Sequence, residues 1–492
     1  MRRLSPMKLL CFFALCVAAT AAASAQSNAK LAYWFAPDLK GPVPVLHVAL
    51  SFEGNSAGSS ILVLPTTWAG QVDLFQSVVK LRAIDSSEAV TATDHRGMVQ
   101  VRYPPNRTVR IAYDLVSDWT GSLRHPKEFR PLVQSSHVIF NGQNGLVSPK
   151  LAQNAAVRAT FSWTNLPKGW SVASSFGIRT NHQKFDGEWH EIHDALFAAG
   201  DFRFTRVQSS GQRLVLAARG SWVFPDRQAA QEIVSLFRVE REFWREHKPN
   251  SFLVVLTPYD QDLGGSDGTA FTNSFLLYLS RKQTFLTDEK SQLAHEIFHT
   301  WNPYRMGIAA GDDTQWFTEG FTRYYQDRML LRAQLIDYPQ YLERLNRIIA
   351  AYWSSPDRNW TQAQWLDRKQ AHHAAEYEGP YRRGAVIALW VDQRIREQSG
   401  GHSSLNERML SLVRSKPDVE LTTDYLLSVL SKSMSSEDAA ALHGFVLDGA
   451  TIPLPAQLAD NCGRLAQPVG SNPYYIPSAG QCDDQFASDL SK

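Results

Sequence analysis

The chain has 492 residues, 44% of them hydrophobic and 20% charged, a balance that excludes a disordered chain and allows two or three domains with buried cores. The formal charge is only +2, with no basic run and no stripe of interleaved basic and aromatic residues, so a nucleic-acid partner is excluded as well.

Residues 1–25 read as a signal peptide. Arg2, Arg3 and Lys8 form a basic start, an apolar run follows from Leu9 to Thr20, and Ala23-Ser24-Ala25 is a small-residue cleavage site. Export to the periplasm is therefore expected. Cleavage removes three of the 50 basic residues and none of the 48 acidic ones, which turns the charge to −1. It also removes Cys11 and Cys16. The remaining Cys462 and Cys482 are expected to pair in an oxidising compartment. No second apolar run is long enough to span a bilayer, so no membrane association is expected after cleavage.

Residues 26–165 alternate short β-rich runs with Gly and Pro, as in residues 44–52, 60–64, 99–103 and 109–113. This predicts an N-terminal antiparallel β-sandwich. His47, His95, His125 and His137 are isolated there, so the domain is expected to shape a cleft rather than carry chemistry. Residues 166–335 form a second predicted domain. Strands are expected at 213–218, 251–256 and 271–279, with a helix over 225–247 on the 3.6-residue spacing of Ile233, Leu236, Phe237, Val239 and Phe243.

The same domain contains His295-Glu296-Ile297-Phe298-His299 on a predicted helix over 288–301, opened by Thr287-Asp288-Glu289 and stopped by Pro303. Two histidines four apart share one helix face and can hold one Zn²⁺. The intervening Glu296 then lies beside the metal, placed to take a proton from its water. A catalytic zinc needs a third protein ligand and an open position. Glu319, 20 residues after His299 on a helix predicted over 313–334, can supply that ligand. Residues 336–455 are mostly helical, with helices predicted at 339–352, 381–398, 405–414 and 423–432. The chain is thus expected to be an α+β multidomain protein with a tail over 456–492.

His295-Glu-Ile-Phe-His299-Thr-Trp301-Asn302-Pro303 followed by Trp316-Phe-Thr-Glu319-Gly320-Phe321-Thr-Arg-Tyr-Tyr325 resembles the glycyl aminopeptidase family. That family belongs to the gluzincin zinc metallopeptidases, with thermolysin and aminopeptidase N. The resemblance implies a thermolysin-like catalytic domain with one Zn²⁺ on His295, His299 and Glu319, and Glu296 as general base. It implies a peptide substrate and a preference for small N-terminal residues. Tyr381-Arg382-Arg383-Gly384 resembles the family's Tyr-x-Lys-Gly segment, which would make the Tyr381 hydroxyl the oxyanion donor. Gly264-Gly265-Ser266-Asp267 stands where relatives have Gly-Gly-x-Glu-His, whose acid anchors the substrate α-amine. Here Asp267 is the one acid available, and the substitution leaves endopeptidase action as the alternative, with a non-catalytic peptide-binding module as the reading from another class. Residues 456–492 are too short for the PDZ domain that many family members carry.

Overall fold

The computed structural model describes residues 28–478, apart from 124–126, 210, 247–250, 260–265, 283–288, 310, 373–377, 416–418, 433 and 459–461. The expected signal peptide, Gly264, Gly265, the helix-opening Thr287-Asp288 and Cys482 lie outside the described residues.

Four larger sheets and a helical layer make up the described residues; one sheet, four-stranded and holding Ser59–Val63 and Met98–Arg102, packs through Leu62 and Val101 into the N-terminal core, and the other three precede the helices in order. The first is a six-stranded sheet whose middle holds Ala29–Asp38, Val45–Glu53, Thr108–Leu115 and Ala156–Trp163. All its pairings are antiparallel except one, in which Ala29–Asp38 runs parallel to Ala156–Trp163. The second is a five-stranded sheet built on His137–Asn141 and Leu196–Gly200. Alternation along these strands shows why the sheets stack. Val138, Phe140, Phe197 and Ala199 join the core shared with the first sheet, while Ile139, Leu196 and Ala198 face a separate core on the other side. The packing thus carries the N-terminal β region past residue 165, to Ala199.

The third layer is a five-stranded sheet with Gln212–Ala218, Ser251–Pro258 and Ser274–Leu279 as parallel inner strands. Val215, Ala217, Leu253, Val255 and Leu276 pack on the second sheet, and Leu214, Leu216, Val254, Leu256, Phe275 and Leu277 pack on helices. Burial on both faces is why these strands read as unbroken apolar runs. The expected strand over 271–279 is instead a hairpin, Ser266–Phe271 returning as Ser274–Leu279, because Asn273 takes a left-handed φ of 49° at the turn. Ser266–Phe271 ends the sheet, so among the described residues its outer edge has no strand partner, and it lines a cleft.

The helical layer begins with Asp226–Phe243 and continues through Glu289–His299, Gly320–Arg332, Tyr338–Ser354, Gly379–Gln398 and shorter helices to Val446. The helix expected over 288–301 ends at His299 and passes through turns to Met306. The one expected over 313–334 is divided into Gln315–Thr318 and Gly320–Arg332, with Glu319 at the junction. None of the helices among the described residues is long and apolar enough to cross a membrane.

Candidate active site

The helix Glu289–His299 has two faces, and both are buried. Leu293, Ala294, Ile297 and Phe298 point into the core. Each large apolar side chain there contributes about 1.5–3 kcal/mol, which fixes the helix against the third sheet. The opposite face turns Gln292, His295, Glu296 and His299 into a cleft of about 850 Å³.

The two imidazoles are oriented by their far nitrogens. Nδ1–H of His295 donates to Gln326 Oε1 at 3.1 Å, and Nδ1–H of His299 donates to the Asn302 carbonyl at 2.8 Å. Their Nε2 atoms then converge on one oxygen, Oε2 of Glu319, at 3.0 and 3.3 Å. A tetrahedral ion with ligands at about 2.0–2.1 Å separates its donor atoms by about 3.3 Å, so the three side chains fit a centre such as Zn²⁺. Electrostatics agree. Burial alone would lower the pKa of His299, yet the Glu319 carboxylate pushes it up to about 9. Burial would raise the pKa of Glu319, yet His299 and His295 hold it well below the usual carboxylate range. The point between the three side chains attracts positive charge.

Glu296 also brings a carboxylate oxygen within 4.8 Å of both imidazole donors. Glu319 is the better third ligand, because one of its oxygens already meets both Nε2 atoms. Glu296 is instead held aside by Gln292, whose Nε2 donates to Glu296 Oε1 at 2.6 Å. Burial pushes the Glu296 pKa up to about 8, and the Glu319 and Asp267 carboxylates add to this against the opposing charge of His299.

Asn302 ties the two helices together. Its side-chain NH₂ donates to Thr322 Oγ1 at 3.1 Å and to the Thr318 carbonyl at 3.3 Å, while its own carbonyl holds His299. Trp301 is fully buried and stacks on Trp244. Trp316 donates its indole N–H to Thr423 at 3.2 Å. These residues position the ligands and do not reach the reacting space.

Tyr381 stacks on His295 with ring centroids 6.1 Å apart, and its hydroxyl bonds Glu319. Arg383 points away from the cleft. Its guanidinium donates to the carbonyls of Phe445, Ala450 and Arg358, so its role is to fasten helices. Tyr381 reaches Glu319 because two helices touch through glycines. A Cβ added at Gly384 would lie 1.9 Å from the Trp316 carbonyl oxygen and 2.8 Å from the Gly320 Cα.

Asp267 lies on the edge strand in the same cleft. Sequence reasoning missed Gln292, Tyr304, Arg323, Gln326 and Glu378, all of which line the cleft, and Trp68 and Phe129, which close it from the N-terminal β region. Arg323 and Gln326 follow Glu319 at helical spacing, a signal present in the sequence. Replacing Gln326 with Leu removes the acceptor that orients His295, and metal affinity should fall about 10–100-fold. Competition against a chelator measures it, and unchanged affinity would mean that Gln326 does not orient the ligand.

Residues 289–387 match the family model of the M61 glycyl aminopeptidase. The matched segment contains His295, Glu296, His299, Glu319 and Tyr381, and the chain is a hydrolytic peptidase. Among solved structures, an aminopeptidase N family protein from Idiomarina loihiensis is similar over 89% of this chain and 79% of its own, with a TM-score of 0.72 at 18% identity. An M1 zinc metallopeptidase from Deinococcus radiodurans is similar over 87% of this chain and 95% of its own, with a TM-score of 0.53 at 16% identity. A mutant of the Deinococcus radiodurans enzyme bound to a Tyr-Ser-Ala substrate is similar over 87% of this chain and 95% of its own, with a TM-score of 0.53 at 15% identity. None of the curated proteins matches the chain.

Proposed function

We propose that the protein is a zinc-dependent aminopeptidase acting on peptides with small N-terminal residues. The observation that carries this reading is the meeting of His295 Nε2 and His299 Nε2 at Glu319 Oε2, with Glu296 beside them and not among them. A zinc ion held by His295, His299 and Glu319 would supply Lewis acidity toward the scissile carbonyl and toward water. Glu296 takes the proton of the attacking water on its carboxylate and passes it to the leaving amine. Burial favours the protonated form that must later act as the acid, and positive charge at His299 favours the carboxylate that must first act as the base. The Tyr381 hydroxyl donates to the oxygen that gains charge as the carbonyl becomes tetrahedral. The free edge of Ser266–Phe271 pairs with the peptide backbone and holds it extended across the cleft.

The acidic lining supports recognition of a free α-amine. Asp267 and Glu378 are carboxylates of the cleft outside the group formed by Glu296 and Glu319. The test compares peptides that differ only in a free or an acetylated N-terminus, with and without a zinc chelator. Chelation should abolish hydrolysis, and acetylation should lower kcat/KM at least about tenfold, the loss expected when a charged hydrogen bond is removed. Equal cleavage of blocked peptides would make the enzyme an endopeptidase. Hydrolysis that survives removal of the metal would overturn the zinc mechanism.

A further inference from the structure

Among the described residues lining the cleft, four are acidic (Asp267, Glu296, Glu319 and Glu378) and one is a Lys or Arg. That one is Arg323, one helical turn beyond Glu319. Its neighbours are already engaged. Glu378 accepts from Arg382 at 2.7 and 3.1 Å, whereas Arg323 Nη1 stands 3.9 Å away, at the outer limit of an ion pair. Asp327, the next turn along, accepts from Ser291 at 2.9 Å and lies 3.5 Å from Arg344. The Arg323 Nε is buried and has no hydrogen-bond partner, and the side chain as a whole is 29% exposed toward the cleft.

A guanidinium carries five donors in a planar fork that matches a carboxylate through two parallel bonds. Arg323 meets Glu378 at the outer limit of contact, so its fork is left able to take a better-matched carboxylate. Its position is also distinct from that of Asp267. The charge of Asp267 acts on Glu296, and that of Arg323 acts on His295 and Tyr381. The cleft therefore has Asp267 at the edge strand and, at the Tyr381 side, a basic point set among the carboxylates of Glu319 and Glu378.

We propose that Arg323 is a specificity residue that binds a carboxylate of the substrate peptide close to the scissile bond. The carboxylate is either the C-terminus of a very short peptide or an acidic side chain. The proposal rests on the peptidase reading and narrows its substrate class. If Arg323 merely offset the charges of Glu319 and Glu378, its loss would affect every peptide alike.

Three matched pairs of peptides separate these cases, each pair differing by one charge. The first sets a dipeptide with a free C-terminus against its amide. The second sets Glu against Gln at the second residue of an amidated tripeptide, and the third sets Glu against Gln at the first residue. In the wild-type protein at least one pair should differ about tenfold or more in kcat/KM, mainly through KM, and the responding pair identifies the source of the carboxylate. Arg323→Gln should bring that ratio to about one, and Arg323→Lys should retain part of it because the charge remains. The same pairs are titrated onto the Glu296→Gln protein, which reports binding without turnover. If no pair differs by more than about twofold in the wild type, or the ratio survives Arg323→Gln, the proposal fails. If hydrolysis is absent but binding to the Glu296→Gln protein still favours the carboxylate, the peptidase reading falls and the Arg323 assignment stands.

Discussion

Glu296→Gln should lower kcat by about 10³-fold while leaving one metal ion per chain, within the range that a positioned general base contributes. The substitution is nearly isosteric. An amide oxygen can still accept from Gln292, which now holds the carboxylate at 2.6 Å, so the helix face should keep its shape. What the amide cannot do is accept and return a proton near neutral pH. The metal should stay because the proposed ligands are His295, His299 and Glu319. Metal content by elemental analysis, beside turnover of a free-amine peptide, decides the matter in two ways. Near wild-type turnover would remove Glu296 from the mechanism. Loss of the metal would make Glu296 a ligand, an arrangement its distance from both imidazoles leaves sterically open.

The second large effect is expected far from any polar chemistry. In an exposed helix interior, Gly→Ala gains about 1 kcal/mol. At Gly384 the sign should reverse, with a loss of about 3 kcal/mol, because the new methyl carbon would meet the Trp316 carbonyl oxygen at 1.9 Å and the Gly320 Cα at 2.8 Å. Backbone cannot rotate out of the way as a side chain can. The helices Gly320–Arg332 and Gly379–Gln398 must move apart, and they carry Glu319 at the start of one and Tyr381 near the start of the other. A shift of about 1 Å at such a constellation costs about 10²-fold in rate, so kcat should fall along with the urea midpoint. Gly444→Ala is the control. Its added Cβ finds Ala450 Cβ at 3.6 Å and Asp448 Oδ2 at 3.9 Å, both ordinary contacts, and it should gain stability. If Gly384→Ala unfolds no earlier than wild type, the close helix crossing is wrong.

These residues also mark where the sequence was readable. His295, Glu296 and His299 stand out because one helical turn is a local distance, and the two-sided burial of the parallel strands leaves a plain apolar run. Glu319 was reachable once a second helix was expected. Arg323 and Gln326 share its spacing, yet polar residues on a helix look the same whether they face a cleft or open water. The hairpin within 266–279 was hidden because an apolar run of strand formers outweighed the single Asn273 that turns it. Trp68, Phe129 and Glu378 come to the cleft from remote parts of the chain, and no local pattern predicts that. The contact between Gly320 and Gly384 is of the same kind, since each glycine alone reads only as a weak spot in a helix.

The first sheet has a further consequence for how the molecule is made. Ala29–Asp38 sits between Val45–Glu53, its neighbour in the chain, and Ala156–Trp163, whose Val157 pairs with Ala29. The folding chain can form the first pairing early, because its partner is near in sequence, but the other flank of that strand stays open until the distant partner docks. During that interval the N-terminal region exposes an unsatisfied strand edge to any other chain nearby. Chaperones that shield such edges should therefore raise the yield of folded protein.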